Sequence, residues 1–177
     1  MQNELLSQNK SRPVYTPVAL NERSSYHLFI CQEGPVAEMS RLYESCFAGA
    51  KALVTVSLNA VDIDQTLRKE LSSVPLNTTV YLSGTEPFIW RTAKKLKAKG
   101  VVAEQIKMIK PDSNERNVFC VHCSTISYGA TASPAICSGC ERLLLVTDHF
   151  SKLHSAYMGY QVNAEDPADK PETEELS

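Results

Sequence analysis

The sequence predicts an α/β fold, in which a short parallel sheet with flanking helices is followed by a C-terminal zinc ribbon. Between residues 25 and 111, β-rich runs alternate with stretches of helical spacing. This alternation favours a parallel sheet covered on both faces. From residue 112 onward, two C-x-x-C pairs are separated by thirteen residues, a spacing typical of a tetrahedral zinc site.

The composition is ordinary for a soluble globular protein, with 43% hydrophobic and 21% charged residues and a net charge of -2. A nucleic-acid partner is not expected, because such proteins carry a clustered basic excess. No run of about 18 apolar residues predicts a membrane span. The N-terminus lacks the basic start and apolar run of a secretory signal, so we expect a cytoplasmic protein.

Residues 1–24 are polar, contain two prolines and show no sustained period, which predicts an N-terminal arm. Residues 26–31 form an aromatic and aliphatic run typical of a buried strand. A Glu-Gly-Pro turn at 33–35 ends it, and apolar residues then recur at helical spacing. Residues 52–58 are a second β-rich run, followed by a helix with the apolar stripe Ile63, Leu67 and Leu71.

The third strand and helix have the clearest boundaries. Residues 78–82 predict a strand that ends at a Ser-Gly turn. Thr85 is the expected N-cap, Pro87 lies in the first turn, and Gly100 closes the helix as its C-cap. Residues 105–109 supply a short fourth strand.

Ligands of parallel sheets bind where strands end at their carboxyl edge. The turns there are residues 32–35, 59–61 and 83–86. The third helix also has a basic outer face, formed by Arg91, Lys94, Lys95, Lys97 and Lys99. This is either a solvated face or, at Lys94 and Lys95, a site for phosphate or an acidic partner.

The two C-x-x-C pairs predict a structural metal site with four thiolate ligands: Cys120, Cys123, Cys137 and Cys140. Four thiolates leave no open position, so the ion would be structural Zn²⁺ that replaces a core this small module is too short to build. In the second pair, Gly139 stands where a tight turn often needs a positive φ.

Other uses of the cysteines and histidines stay open. A rubredoxin-type iron site or an iron–sulfur cluster needs similar cysteine pairs, and reactive dithiols would make the chain a redox enzyme. His122 and His149 are further potential ligands, although four cysteines already complete the shell. Cys31 and Cys46 are expected to be buried small hydrophobes.

An aromatic segment follows the second pair within residues 112–162. Phe150 and Tyr157 either pack back onto the ribbon or sheet, or belong to a strip that docks a partner. A catalytic role for His149 or His154 has no nucleophile paired with it in the sequence. Residues 163–177 are acidic and nearly free of large apolar groups, which predicts a disordered tail.

The order of motifs carries one family resemblance. CVHC at 120–123 and CSGC at 137–140 are followed by DHFS at 148–151 and AYMG at 156–159. This order resembles the C-terminal domain of the small, zinc-binding subunit of bacterial dimethylamine monooxygenase. Together with the α/β part, the resemblance spans most of the chain except both termini.

Residues 26–109 are similar to the nicotinamide-binding half of ferredoxin-reductase-type flavoproteins, in a degenerate form. The matching stretches are 80–88 and 96–101, whereas Gln-Glu-Gly-Pro at 32–35 replaces a glycine-rich phosphate turn. The similarity makes NAD(P)H a candidate cofactor and implies a site near the nicotinamide made of Ser83, Gly84, Thr85 and Glu86.

The resemblance implies a non-catalytic accessory subunit of an NAD(P)H-dependent oxygenase that oxidatively demethylates dimethylamine. Flavin, iron–sulfur and haem groups would then reside on partner subunits, a haem-bearing oxygenase and a flavin/iron–sulfur reductase, in a hetero-oligomer. The chain would support assembly, and its α/β lobe would be available to complete the reductase's nicotinamide site. The alternative is a free-standing zinc-ribbon adaptor or regulatory protein with a degenerate nucleotide-binding fold.

Overall fold

The computed structural model describes residues 11–34, 36–56, 60–166 and 171–177. The described chain divides into two compact units, one of residues 15–113 and one that joins residues 11–14 to residues 114–177. Each unit has a main β-sheet of its own. None of the helices in these ranges is long and apolar enough to cross a membrane.

In the unit of residues 15–113, which we call the α/β lobe, strands and helices alternate as predicted. The strands are β1 (Tyr26–Gln32), β2 (Lys51–Val56), β3 (Thr78–Ser83) and β4 (Ile106–Met108). The helices are α1 (Ala37–Ser45), α2 (Ala60–Ser73) and α3 (Glu86–Ala98), with short 3-10 turns at Ala48–Ala50 and Ala103–Gln105. All four strands are parallel, in the order β2-β1-β3-β4, which confirms the predicted α/β arrangement.

Side chains of the central strands point alternately to the two faces of this sheet and build a core on each. One core joins the sheet to α2 and α3 and includes Leu28, Ile30, Ile63, Leu67, Val80, Leu82, Ile89 and Leu96. The other core faces α1 and includes Phe29, Cys31, Met39, Cys46 and Tyr81. The predicted burial of the two lone cysteines is thereby confirmed.

The predicted caps of the third helix are also present. The Thr85 hydroxyl accepts a hydrogen bond from the Phe88 amide at 3.4 Å. At the other end Gly100 has φ 93°, and the Val101 amide donates to the Leu96 carbonyl at 3.1 Å. This geometry needs a residue without a Cβ, as C-terminal glycine caps do.

The basic face of α3 has an internal partner on α2. Lys95 forms an ion pair with Asp64, and its hydrogen bond is the main cause that lowers the pKa of that carboxyl group. The structure therefore favours an intramolecular role for Lys95 over the phosphate site considered from sequence.

Within the α/β lobe, the predicted N-terminal arm packs against the core and is not an independent linker. Val18 and Leu20 pack against the core next to α1, and the Asn21 amide donates to the Tyr81 hydroxyl at 2.9 Å. Residues 1–10 lie outside the described residues. The sequence shows no period here because an irregular segment makes its contacts through single side chains.

His27 and Tyr81 form a buried pair that should make the α/β lobe acid-sensitive. The His27 Nδ1 lies 3.2 Å from the Tyr81 hydroxyl, and burial lowers the pKa of His27 below its ordinary 6.5. Between its native pKa and pH 6.5, His27 therefore binds a proton in the unfolded chain but not in the native chain. The free energy of unfolding falls as the pH is lowered through this range. We expect the free energy of unfolding, measured with urea, to differ less between pH 7.5 and pH 5.5 in His27→Phe than in the wild type. An equal difference in both proteins contradicts this role for His27.

The unit that contains residues 114–177, which we call the cysteine unit, is almost entirely β-structure. Its strands are β5 (Arg116–Cys120), β6 (Ile126–Ala130), β7 (Ala132–Ser133), β8 (Ala135–Ile136), β9 (Leu143–Ser151), β10 (Ala156–Gln161) and β11 (Glu174–Glu175). The main sheet has the order β6-β5-β10-β9-β8, and β7 pairs with β11. Strand β5 leads into the first cysteine pair, and β9 follows the second.

The aromatic segment is part of this main sheet. Strands β9 and β10 pair antiparallel, and β10 also pairs in parallel with β5. Phe150 and Tyr157 lie in contact at 5.1 Å between ring centroids and are 7% and 3% exposed. The structure therefore confirms the first of the two expectations for these rings, which is that they pack onto the unit's own sheet.

The end of the predicted disordered tail is ordered in the structure. Strand β11 pairs with β7, and Leu176 is 8% exposed. Buried Arg116 lies 4.5 Å over the Tyr157 ring, contacts the Asp148 carboxylate at 3.4 Å and donates to the Ser177 carbonyl at 2.8 Å. One apolar side chain and this arginine anchor a segment that composition alone predicts to be unstructured.

Candidate metal centre

Two turns of the same geometry present the four cysteines. In the first, the Cys120 amide donates to the Thr125 carbonyl and the Ser124 amide to the Cys120 carbonyl, both at 2.9 Å. The second repeats this pattern from Cys137, whose amide donates to Arg142 at 2.9 Å and whose carbonyl accepts from Glu141 at 3.0 Å. Each turn therefore directs both of its sulfur atoms to the same side.

The four Sγ atoms lie within 4.8 Å of one another, as the spacing of the cysteines predicts. The Sγ distances are 3.8 Å for Cys120–Cys140 and 3.6 Å for Cys123–Cys137. Thiolates bound at about 2.3 Å in a regular tetrahedron would stand about 3.8 Å apart. The arrangement therefore fits one tetrahedral ion better than a multi-iron cluster, whose ligands must spread around several metal atoms.

The prediction for Gly139 was wrong in its physical reason. The left-handed positions are the residues after each pair, Ser124 at φ 61° and Glu141 at φ 58°, whereas Gly139 has no positive φ. A Cβ at Gly139 would lie 2.3 Å from the Thr125 Oγ1 and 2.8 Å from its Cβ. Glycine is needed there because the first turn packs directly against the second.

Thr125 is a residue of this site that the sequence analysis missed. Hydrogen bonds from its hydroxyl and its amide are the main cause that lowers the pKa of Cys123 to about 6. At Cys140 a bond from the Arg142 amide lowers the pKa, but burial and the neighbouring thiols outweigh it and raise the value to about 12. The Cys140 thiol therefore resists ionisation, which a divalent cation bound to its sulfur would make favourable.

Backbone amides and hydroxyls surround the sulfurs. The Gly139 amide donates to the Cys137 Sγ at 3.4 Å. The Ser138 amide donates to the Ser127 hydroxyl at 2.9 Å, which ties the second turn to β6. Such outer contacts orient ligands and tune their affinity for a metal.

Gly139→Ala is expected to weaken metal binding about tenfold or more, in the range seen for lost outer contacts. The added methyl group must displace Thr125, and with it the hydrogen bonds to Cys123. Competition with a chromophoric chelator measures the change, and Thr125→Val, which loses only the hydroxyl, shows how much of it comes from that group. Unchanged affinity in Gly139→Ala contradicts the close packing of the two turns.

His149 and His154 have other partners. The His149 Nδ1 lies 3.2 Å from the Ser11 hydroxyl, which in turn accepts from the Phe150 amide at 3.1 Å. The His154 ring stacks on Phe119 at 4.0 Å. Ser11 is thus a hydroxyl next to His149 that sequence proximity could not reveal, and the contacts it makes anchor residue 11 to β9. Among the described residues, the four cysteines are the one group that brings three or more potential metal ligands together.

The residues predicted to lie near a nicotinamide are together, at the end of β3 and the start of α3, but their side chains are engaged within the α/β lobe. Ser83 donates to the Met39 sulfur at 3.3 Å, and Glu86 accepts from the Tyr15 hydroxyl at 2.8 Å. The Thr85 amide and hydroxyl both donate to Gln32 at 2.9 Å. As they stand, these residues do not fit a dinucleotide.

Part of the cysteine unit is similar to a known protein family. The family model for the C-terminal domain of dimethylamine monooxygenase subunit DmmA-like proteins matches residues 117–160. The chain is also 31% identical over 109 residues to the heme-dependent oxidative N-demethylase delta subunit of Ectopseudomonas mendocina (strain ymp). That alignment covers 62% of this chain and 62% of the relative. No solved structure matches significantly. The resemblance predicted from the motif order is confirmed for residues 117–160, which match the family model of that C-terminal domain.

Proposed function

We propose that this chain is a non-catalytic accessory subunit of a cytoplasmic, multicomponent, NAD(P)H-dependent dimethylamine monooxygenase. The observation that carries the proposal is the match of the cysteine unit to the DmmA-like domain. The similarity to a delta subunit of an oxidative N-demethylase supports it. Haem, flavin and iron–sulfur chemistry would reside on a haem-bearing oxygenase and a flavin/iron–sulfur reductase, and this chain would help to assemble them.

The ion of the metal centre is proposed to be structural Zn²⁺. Four cysteine sulfurs at tetrahedral spacing suit zinc, which takes this ligand set in closed structural sites. With four thiolates bound, zinc has no position for water or substrate, so its contribution would be to hold the two turns together. One zinc per chain with all four thiols protected is expected by elemental analysis. Iron in its place would support a rubredoxin-type iron site. Unprotected thiols would support a redox role for the cysteine pairs.

The docking surface is proposed to be the outer face of the main sheet of the cysteine unit, which we call the apolar face. Cross-strand partners Leu145 and Tyr160 are 38% and 47% exposed. Phe119, on the same face, is flanked by Ile126 and Met158. Further exposed apolar side chains on these strands are Tyr128 (70%) and Ile136 (69%). Contiguous apolar surface of this kind is typical of protein–protein interfaces.

The charge pattern of the apolar face favours a particular partner surface. Within the described strands, residues 119, 126, 128, 143, 145, 147, 149, 158 and 160 alternate with the buried positions, and none of them is acidic. His149 is the basic residue among these positions. An apolar patch with carboxylates at its rim, on another subunit of the assembly, would complement this face.

Co-purification with the oxygenase and reductase subunits tests the docking role. Tyr160→Ser combined with Leu145→Ser should reduce retention in the complex at least about tenfold, because central apolar contacts dominate interface energies. Leu76→Ser is the matched control, since Leu76 is 99% exposed and lies on the α/β lobe. Equal retention of both variants, each with full metal content, contradicts the docking face.

A second candidate role is that the α/β lobe completes the nicotinamide site of the reductase in trans. Support comes from the position of residues 83–86, which follow β3 at the carboxyl end of the sheet next to β1. The strand order changes direction between β1 and β3, and this is the usual ligand position in such sheets. Gln32 would have to move aside in the complex. Gln32→Ala should then change the KM for NAD(P)H of the assembled enzyme, whereas unchanged kinetics contradict the role.

The alternative from another class is a free-standing adaptor or regulatory protein. The internal engagement of residues 83–86 and the apolar face are also compatible with it. Purification distinguishes the two, because an adaptor would associate with neither the oxygenase nor the reductase subunit and would leave their activity unchanged.

A further inference from the structure

The carboxyl end of the sheet in the α/β lobe is filled by a side chain of the lobe itself. We propose that Gln32 acts as an internal ligand of the α3 N-terminus and closes the free chain to dinucleotides. This inference deepens the proposed function, on which it rests for the reason to consider NAD(P)H at all. It concerns the chain before any partner binds.

Gln32 occupies the donors that a ligand would use. Its Oε1 accepts from both the amide and the hydroxyl of Thr85, each at 2.9 Å. Helix N-termini bind anions and carbonyl oxygens through free amides of the first turn. Here the carboxamide of Gln32 takes the position of such a group.

Most of the remaining donors of this turn are also used. The Phe88 amide donates to the Thr85 hydroxyl at 3.4 Å, and the Ile89 amide to the Thr85 carbonyl at 3.0 Å. Pro87 has no amide hydrogen. Of the residues from Thr85 to Ile89, four therefore have no free amide to offer a phosphate or a carboxamide.

Close packing leaves no space beside Gln32. A Cβ at Gly84 would lie 2.7 Å from the Gln32 Cβ and 2.9 Å from the Phe88 Cδ1. Even one methyl group cannot be added between these residues without displacing them. A nicotinamide ring could enter only if the Gln32 side chain left.

The charge at the same edge opposes a pyrophosphate. Glu33 directly follows Gln32, is exposed, and adopts a left-handed φ of 55°. Where dinucleotide-binding turns present glycine amides to the phosphates, this turn presents a carboxylate. Both steric filling by Gln32 and repulsion by Glu33 therefore exclude the dinucleotide.

The purified chain can be tested directly by amide NMR and nucleotide titration. NADH and NADPH at millimolar concentrations should shift none of the amides of residues 83–89 in the wild type. Gln32→Ala should shift the Thr85 amide and speed its hydrogen exchange about tenfold, because that amide loses its acceptor. Gln65→Ala, at an exposed position of α2, is the control and should leave Thr85 unchanged.

Saturable NADH binding by the wild type, with shifts at residues 83–86, overturns the proposal. Unchanged Thr85 exchange in Gln32→Ala also overturns it. Gln32→Leu, which keeps the volume without an acceptor, serves as a second variant in case the alanine protein is poorly folded. Since these readouts use the free chain, their failure is separate from a failure to co-purify with the oxygenase and reductase.

Discussion

Cys137→Ser is expected to unfold the cysteine unit and release its metal ion. Cys137 is fully buried, and its turn holds β8 next to β9. Structural zinc contributes on the order of 10 kcal/mol to the folding of small zinc peptides, so the loss of one ligand should cost several kcal/mol. We expect less than one metal ion per chain by elemental analysis and a lost or strongly lowered thermal transition for this unit. Chelation of the wild type should produce the same change.

Cys46→Ala is the matched control for Cys137→Ser. Cys46 is also a buried cysteine, at 8% exposed, but it belongs to the core of the α/β lobe next to α1. It should keep full metal content with only a modest loss of stability. A folded, metal-free Cys137→Ser protein would show that the ion does not support this fold.

Gly84→Ala is expected to destabilise the α/β lobe by about 2 kcal/mol or more. Its φ of 143° is one that residues with a side chain rarely adopt, at a cost of about 1–3 kcal/mol. The new methyl group would also collide with Gln32 and Phe88, and overpacking costs about 1–3 kcal/mol. Urea unfolding followed by the single tryptophan, Trp90 on α3, measures the loss.

Gly49→Ala provides the control within the same lobe. Gly49 has no positive φ, and nothing lies within 4 Å of the position its Cβ would take. Its substitution should be neutral or slightly stabilising, because alanine restricts the unfolded chain more than glycine does. Equal stability of both variants contradicts the packing described at the β3–α3 turn.

The elements of the α/β lobe could be predicted because their signals are local. The apolar stripe at Ile63 and Leu67, the Thr85 cap and the Gly100 terminus each lie within one element. The order of the strands could not be predicted in this way, because alternation of strands and helices allows several arrangements of a four-stranded sheet. The bonds from Thr85 to Gln32 span 53 residues, so no local pattern could reveal that the expected ligand position is already filled.

In the metal centre, too, local features could be predicted and contacts between distant segments could not. The spacing of the cysteines predicts their convergence, because each C-x-x-C pair is a local turn. The contact between Gly139 and Thr125 joins the two turns, and it could not be inferred from one of them. The sequence left two possibilities open for the aromatic segment because the pairing of β10 with β5 connects Val118 to Tyr157, which are far apart in sequence.

This pairing also has a consequence for biosynthesis. β10 is the middle strand of its sheet, between β5 and β9, although it is the last of the long strands to be translated. Both C-x-x-C turns leave the ribosome before β10 does, so metal capture can precede completion of the sheet. Chains stalled when Cys140 has left the exit tunnel but Ala156 has not should therefore hold the ion while β5 and β9 still lack their common neighbour.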